Sequence, residues 1–232
     1  MTKDFAKRGC LASMAMVCML ACCLGQGTAR KLHLPVWTFH QRNNTTIGLN
    51  LGIASTIPDS SRNVTTIGVH AEAIGLGFFL FMAPRSLSAS DSAEFAQKEA
   101  APVSERIHGL SISPLGTICD CTLNGIGVNG GGTFVHHLNG VSAAFAIAES
   151  DKFRGLQAAG FNITYQGRGL QLAVMLNYAE EMRGLQLAAW NEAKVVRGVQ
   201  IGVFNRTSSL KGVQFGIWNV NQKRKLPLFN WA

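Results

Sequence analysis

Cysteine is nearly absent from most of this chain. Six occur in 232 residues, and four of them (Cys10, Cys18, Cys22 and Cys23) fall within the first 29. The remaining two, Cys119 and Cys121, are too few to form the disulfide framework of a small secreted fold. No uncharged apolar run reaches the roughly 20 residues that a helical membrane span needs; residues 10–24 fall short of it. Catalytic signatures are also missing, with no Gly-x-Ser-x-Gly elbow, phosphate loop or His-Glu-x-x-His. The basic residues are not interleaved with aromatics on one face, so nucleic acid is not an expected partner. Helix signals are few. The expectation is a non-enzymatic chain without cofactor, catalytic residues or metal.

What the chain does have is a repeat. Residues 153–219 contain one phrase five times: GLQAAGFN from Gly155, GLQLAVMLN from Gly169, GLQLAAWN from Gly184, GVQIGVFN from Gly198 and GVQFGIWN from Gly212. The glycines are 14, 15, 14 and 14 residues apart. A basic residue precedes each one (Arg154, Arg168, Arg183, Arg197 and Lys211), and an asparagine closes each unit (Asn162, Asn177, Asn191, Asn205 and Asn219). Looser units surround Gly109, Gly125 and Gly140, and weaker ones lie at residues 46–54 and 66–73. A fixed short period means an array of like units, each leaning on its neighbours. Within a unit the side chains alternate with period two, the strand signature. Residues 74–82 (IGLGFFLFM) are expected to form a strand buried on both faces.

Two stackings use this pattern. A parallel β-solenoid sets like on like, placing five cations in a column about 4.8 Å apart. An antiparallel meander sets glycine against aromatic and arginine against asparagine, which cross-strand energetics favour by about 0.2–1 kcal/mol per pair. The expected class is therefore all-β, a repetitive antiparallel meander of about 12 short strands closing as a barrel, with the parallel β-solenoid as the alternative. The similar ends, Leu34-Pro35-Val36-Trp37 and Leu226-Pro227-Leu228-Phe229, read as edge strands that would meet on closure.

Residues 1–29 read as a signal peptide: Lys3, Lys7 and Arg8, then the apolar run, then Gly27-Thr28-Ala29. Met19-Leu20-Ala21 before Cys22 offers the alternative of a lipid anchor. Residues 30–232 form one repeat domain, in which 85–105 is a long surface loop containing a helix-forming stretch at 92–100. Cys119-Asp120-Cys121, with His136 and His137 downstream, invites a metal or redox reading. The spacing matches no standard zinc pattern, and two cysteines near a turn is the preferred account. Adjacent in a strand, His136 and His137 would face opposite ways; Asp120 and His108 are further candidate partners.

The repeat Gly-Leu/Val-Gln-hydrophobic-Gly/Ala-x-x-Asn, with its preceding basic residue, resembles the bacterial surface-repeat proteins known best from leptospires. The resemblance covers residues 106–231 well and 46–82 loosely, and the 85–105 insertion departs from it. It implies export and a place at the outer membrane or cell surface. It carries no catalytic residues, because the family's activity is undefined. A periplasmic location is the alternative. Net charge falls from +8 to +6 when Lys3, Asp4, Lys7 and Arg8 leave with the leader, and much of it lies on the Arg154–Lys211 edge. That edge is a candidate contact for anionic lipid or lipopolysaccharide. The functional expectation is a structural or interaction protein of the envelope; the alternative is a soluble exported binding module or adhesin using the 85–105 loop and the basic edge. In a barrel, three aliphatic rows would cover about 15 Å of an apolar band roughly 25 Å tall, which counts against full embedding.

Overall fold

In the computed structural model, which describes residues 31–55 and 62–232, the repeat glycines do not face aromatics across neighbouring strands. They stack on one another. The strands are β1 (Lys31–His33), β2 (Val36–Thr38), β3 (Asn44–Gly52), β4 (Val64–Glu72), β5 (Glu105–Ser113), β6 (Ile118–Asn129), β7 (Thr133–Ala144), β8 (Ile147–Leu187), β9 (Trp190–Ile201), β10 (Phe204–Val220) and β11 (Lys225–Trp231). From β3 to β10 every neighbour is parallel and in register. Gly48 pairs with Gly68, Gly68 with Gly109, and so on through Gly125, Gly140 and Gly155. The chain is all-β, a stacked-coil β-solenoid of about 12 turns rather than an antiparallel barrel. The expected leader, including Cys22, lies outside the described residues.

The glycine column fixes the coil spacing. Gly198, for example, has φ +145°, and a Cβ there would run into the carbonyl oxygen of Gly184 in the coil before it. Gly155, Gly169, Gly184 and Gly212 have the same relation to the coil that precedes each. Only glycine adopts this conformation without strain and lets two backbones approach so closely.

Side-chain amides decide the stacking. Gln157, Gln171, Gln186, Gln200 and Gln214 are fully buried, and each later one donates to its predecessor: Gln171 Nε2 to Gln157 Oε1 at 3.2 Å, then 2.8, 2.9 and 2.7 Å up the column. The asparagines form a second ladder that runs the other way. Asn162, Asn177, Asn191 and Asn205 each donate to the asparagine that follows, at 2.7–2.9 Å. Their direction is set by a second bond from the same nitrogen to a main-chain carbonyl, as from Asn191 Nδ2 to Ile201 O at 2.8 Å. Each such bond contributes about 1 kcal/mol net, and an unmatched buried amide costs about 1–3 kcal/mol. Repulsion between exposed, screened cations is a few tenths of a kcal/mol per pair. The amide term outweighs the charge term, so like stacks on like.

The interior beside these ladders is apolar, with Ile107, Leu123, Leu138, Phe153, Met182, Val196 and Leu210 one above another two residues before each glycine. Gly167 interrupts the column, and Phe153 and Met182 occupy the space it leaves. The aliphatic residues after each glycine point outward instead.

Both ends of the array differ from expectation. The terminal edge strands do not meet; β2 pairs with β3 at one end of the sheet and β11 turns back on β10 at the other. Asn230 of β11 donates to Gln214 Oε1 at 3.2 Å and ends the glutamine ladder. Residues 74–82 are not a buried strand. Gly77–Met82 is a 3-10 turn with Leu80 buried against Ile118 and Phe134, while Phe78, Phe79, Phe81 and Met82 are exposed. Two glycines, Gly75 and Gly77, flanking Leu76 favour the tight turn over a strand. Helix α1 (Ser92–Ala100) follows, capped by Asp91, whose carboxylate accepts from the backbone of Ala93 and Glu94.

Substituting Gly198→Ala should cost about 3 kcal/mol or more through forced φ and backbone contact. Arg197→Ala, one residue away and exposed, should stay within about 0.5 kcal/mol of the parent. Urea unfolding of the two variants side by side checks the contrast.

Candidate functional site

Along one face of the solenoid the apolar side chains of every coil line up. Leu187, Ile201, Phe215 and Phe229 are register partners in successive coils, and all four are exposed. The face continues toward the N-terminal coils through Val128 and Ile112 to Leu51. A groove runs along it between Leu187, Ala189, Ile201, Val203, Phe215 and Ile217. Contiguous apolar surface of this kind makes the wall a candidate interaction site.

The two borders of this wall differ. On one side stand Arg154, Arg168, Arg183, Arg197 and Lys211, each immediately before a stacked glycine and each exposed. None of the five is in an ion pair among the described residues. On the other side are aromatics at the next corner, where Trp190 and Phe204 lie with ring centroids 5.3 Å apart and Phe161 and Trp218 are also exposed. The Gly77–Met82 turn sits at this same corner, its Gly77 N–H donating to Gly116 O at 2.7 Å. The five cations thus stand beside Gly155, Gly169, Gly184, Gly198 and Gly212, while Gly109, Gly125 and Gly140 continue the glycine column behind His108, Asn124 and Asn139.

The insertion between β4 and β5 is seated on a different corner. Two buried carboxylates hold it. Glu149 accepts from the Leu87 N–H at 2.7 Å and from Ser86 Oγ at 2.9 Å. Asp151 accepts from the Ala89 N–H at 2.6 Å and lies 3.3 Å from Lys98 Nζ. Phe95 stacks on Tyr165 with centroids 4.3 Å apart. Burial raises the Glu149 carboxyl pKa despite these donors. At this corner β7 and β8 lose one ladder pair, between His136 and Asp151. The strand alternation is broken there, and so His136 and His137 do not face opposite ways. Their rings stack, with centroids 4.2 Å apart. His136 Nδ1 is 2.8 Å from Asp151 Oδ2, His137 Nε2 contacts Glu99 of α1, and Lys152 Nζ is 3.1 Å from the other Glu99 oxygen.

Cys119 and Cys121 are joined as a disulfide, buried in the core. It spans the point where β6 carries one residue more than β7, since Cys119 pairs with Val135 and Thr122 with His137. The bulge puts Asp120 near His136, and burial raises its pKa. His108 lies apart, 3.4 Å from Asn124, so it does not join Asp120. Sequence reasoning named the two histidines but missed Glu149 and Asp151, whose only signal was acidity inside an otherwise apolar or basic repeat, and Glu99, one of several acidic residues in the insertion.

A second buried cluster, also unforeseen, lies in the first coils. His70 takes the place in the column that glutamine holds later, stacked on Phe39. Its Nδ1 is 3.2 Å from Glu105 and its Nε2 is 3.8 Å from Glu72. Burial would depress the imidazole, but Glu105 and Glu72 outweigh it and raise the pKa to about 9. Glu72 is held below the usual carboxylate range: burial opposes this, and His70, Ser113 and Ser55 prevail. Arg62 and His40 are the other charged or titratable groups in this region.

Compared with known proteins, the chain matches no family model, and neither a curated protein nor a solved structure is similar to it. The reading of function therefore rests on the molecule's own surface.

The His70 cluster makes a pH prediction. A group whose folded pKa is raised stabilises fully below its unfolded value, near 6.5, and that contribution is lost as pH rises through about 9. Stability should therefore decline between pH 6.5 and 9, and His70→Gln should be less stable at pH 6 and show a flatter alkaline slope. Urea midpoints across that pH range test it.

Proposed function

We propose that the protein is a non-enzymatic scaffold of the bacterial cell envelope that lies along an anionic membrane surface. The carrying observation is the outward apolar wall bordered by five unpaired cations. An ordinary solenoid buries its aliphatic residues. This one buries a single apolar column beside its amides and presents a second aliphatic set, Leu187, Ile201, Phe215 and their equivalents, to the outside, an arrangement that suits an apolar partner phase. Aromatic side chains at one border suit the boundary between lipid and water. Arginine and lysine at the other reach headgroup phosphates while their stems remain over apolar surface. Each cation near an anionic surface contributes about 1 kcal/mol, so five supply on the order of 5 kcal/mol before any apolar contact is made. The exposed Phe78, Phe79 and Phe81 of the 3-10 turn add an insertion point at the aromatic border.

No helix among the described residues is long and apolar enough to cross a membrane. The proposed attachment is lateral, along the wall. The resemblance to bacterial surface-repeat proteins agrees with an exported location at the outer membrane or cell surface. The regular coils repeat one chemistry rather than converging on a single reacting centre, which supports a structural role.

Flotation of the mature chain with phosphatidylcholine vesicles, with and without phosphatidylglycerol, tests the reading. We expect binding to the anionic vesicles only, weakened by salt. Replacing Arg154, Arg168, Arg183, Arg197 and Lys211 together with glutamine should reduce it at least about tenfold. Phe78→Ser with Phe79→Ser should reduce it further. Equal recovery with neutral vesicles, or none with either, would overturn the proposal; vesicles carrying lipopolysaccharide separate that headgroup from phospholipid.

A further inference from the structure

His136 is 2% exposed, and its Nε2 is buried with no hydrogen-bond partner. Its other nitrogen, Nδ1, is 2.8 Å from the Asp151 carboxylate. A neutral imidazole that donates its Nδ1–H to a carboxylate keeps a lone pair on Nε2. A buried, unmatched lone pair of this kind is costly unless an electrophile completes it. Beside it, His137 Nε2 and a Glu99 oxygen are already in contact. One donor atom from each of Glu99, His136 and His137 lies within 4.8 Å of the others.

We propose that Glu99, His136 and His137 form a site for one divalent cation of the zinc type, oriented by Asp151, which fastens helix α1 to the solenoid corner. Two imidazoles and one carboxylate suit zinc or its first-row neighbours, whereas calcium and magnesium prefer an all-oxygen set. Asp151 occupies the place of the carboxylate that commonly backs a metal-bound histidine, fixing both tautomer and ring direction. Local charge also admits the ion: Glu99, Asp151 and Asp120 face Lys98 and Lys152.

The ligands come from two parts of the chain far apart in sequence, α1 in the insertion and β7 in the array. Metal entry would replace the contact between His137 and Glu99 by two bonds to a shared centre. It would thereby make the seating of α1 dependent on the ion. The three protein donors leave a fourth position for water, and the inference concerns fastening, independent of the membrane reading.

The test uses the mature chain without an affinity tag, stripped with a chelator and titrated with zinc chloride by calorimetry and with cobalt chloride by visible absorption. One equivalent of zinc should bind with a micromolar or lower Kd, and cobalt should give the d–d bands of a low-coordinate nitrogen–oxygen site. Glu99→Gln and His137→Asn should each weaken binding about tenfold or more, and Asp151→Asn should weaken it about tenfold. Zinc should slow proteolysis within residues 85–104 in the parent and not in Glu99→Gln. His108→Asn, an exposed histidine outside the cluster, should bind as the parent does. Absence of stoichiometric binding, or binding unchanged by Glu99→Gln, would overturn the site. So would equal loss in His108→Asn, which would mark adventitious surface coordination.

Discussion

In-register parallel stacking is the constraint on which everything else in this molecule depends. Once glycine sits over glycine, each side chain must be compatible with a near copy of itself one coil away. Few residue types meet that demand in a dry interior. Primary amides do, because each has one end that donates and one that accepts, and Gln157–Gln214 and Asn162–Asn219 fill the two buried columns accordingly. Apolar residues do so by shape alone. Cations do not, and the array holds Arg154, Arg168, Arg183, Arg197 and Lys211 at an exposed corner where water screens them.

This selection divides the apolar residues between an interior column and the outer wall. The interior takes amides because they stack with direction, and the aliphatic residues of the alternating pattern are left on the outer wall. The corners accommodate whatever breaks the rule. At one, the aromatics and the 3-10 turn gather; at another, the loss of a ladder pair brings His136 and His137 to the same side and gives the insertion a place to seat. Function, in the reading advanced above, is a consequence of surfaces that the stacking rule could not bury.

Much of this was legible in the sequence, but not its topology. The repeat, its strand character and the glycine and asparagine positions are all visible in GLQLAAWN and its copies. Period-two alternation is identical for parallel and antiparallel neighbours, so it could not choose between them. Weighing Arg183 against Arg197 across a pair favoured the meander. The deciding term was the bond between Gln186 and Gln200, and its worth depends on burial that a sequence does not display. Residues 74–82 misled for a related reason, since an unbroken apolar run is compatible with a strand or with a turn whose phenylalanines face outward. The partners of His136 were hidden by distance along the chain, with Glu99 37 residues before it and on a helix.

The opposed directions of the two amide ladders bear on how such a chain can evolve. In an α-helix aligned dipoles accumulate from end to end. Here the glutamine column points one way and the asparagine column the other, so a further coil adds two dipoles that largely cancel. Duplicating a 14-residue unit therefore brings no growing electrostatic penalty. At the C-terminal side Asn230, turned back on β10, occupies the next position of the glutamine column with a strand of opposite sense. Its own amide oxygen accepts from Asn221 Nδ2 at 3.1 Å, so the column offers no free acceptor beyond this strand.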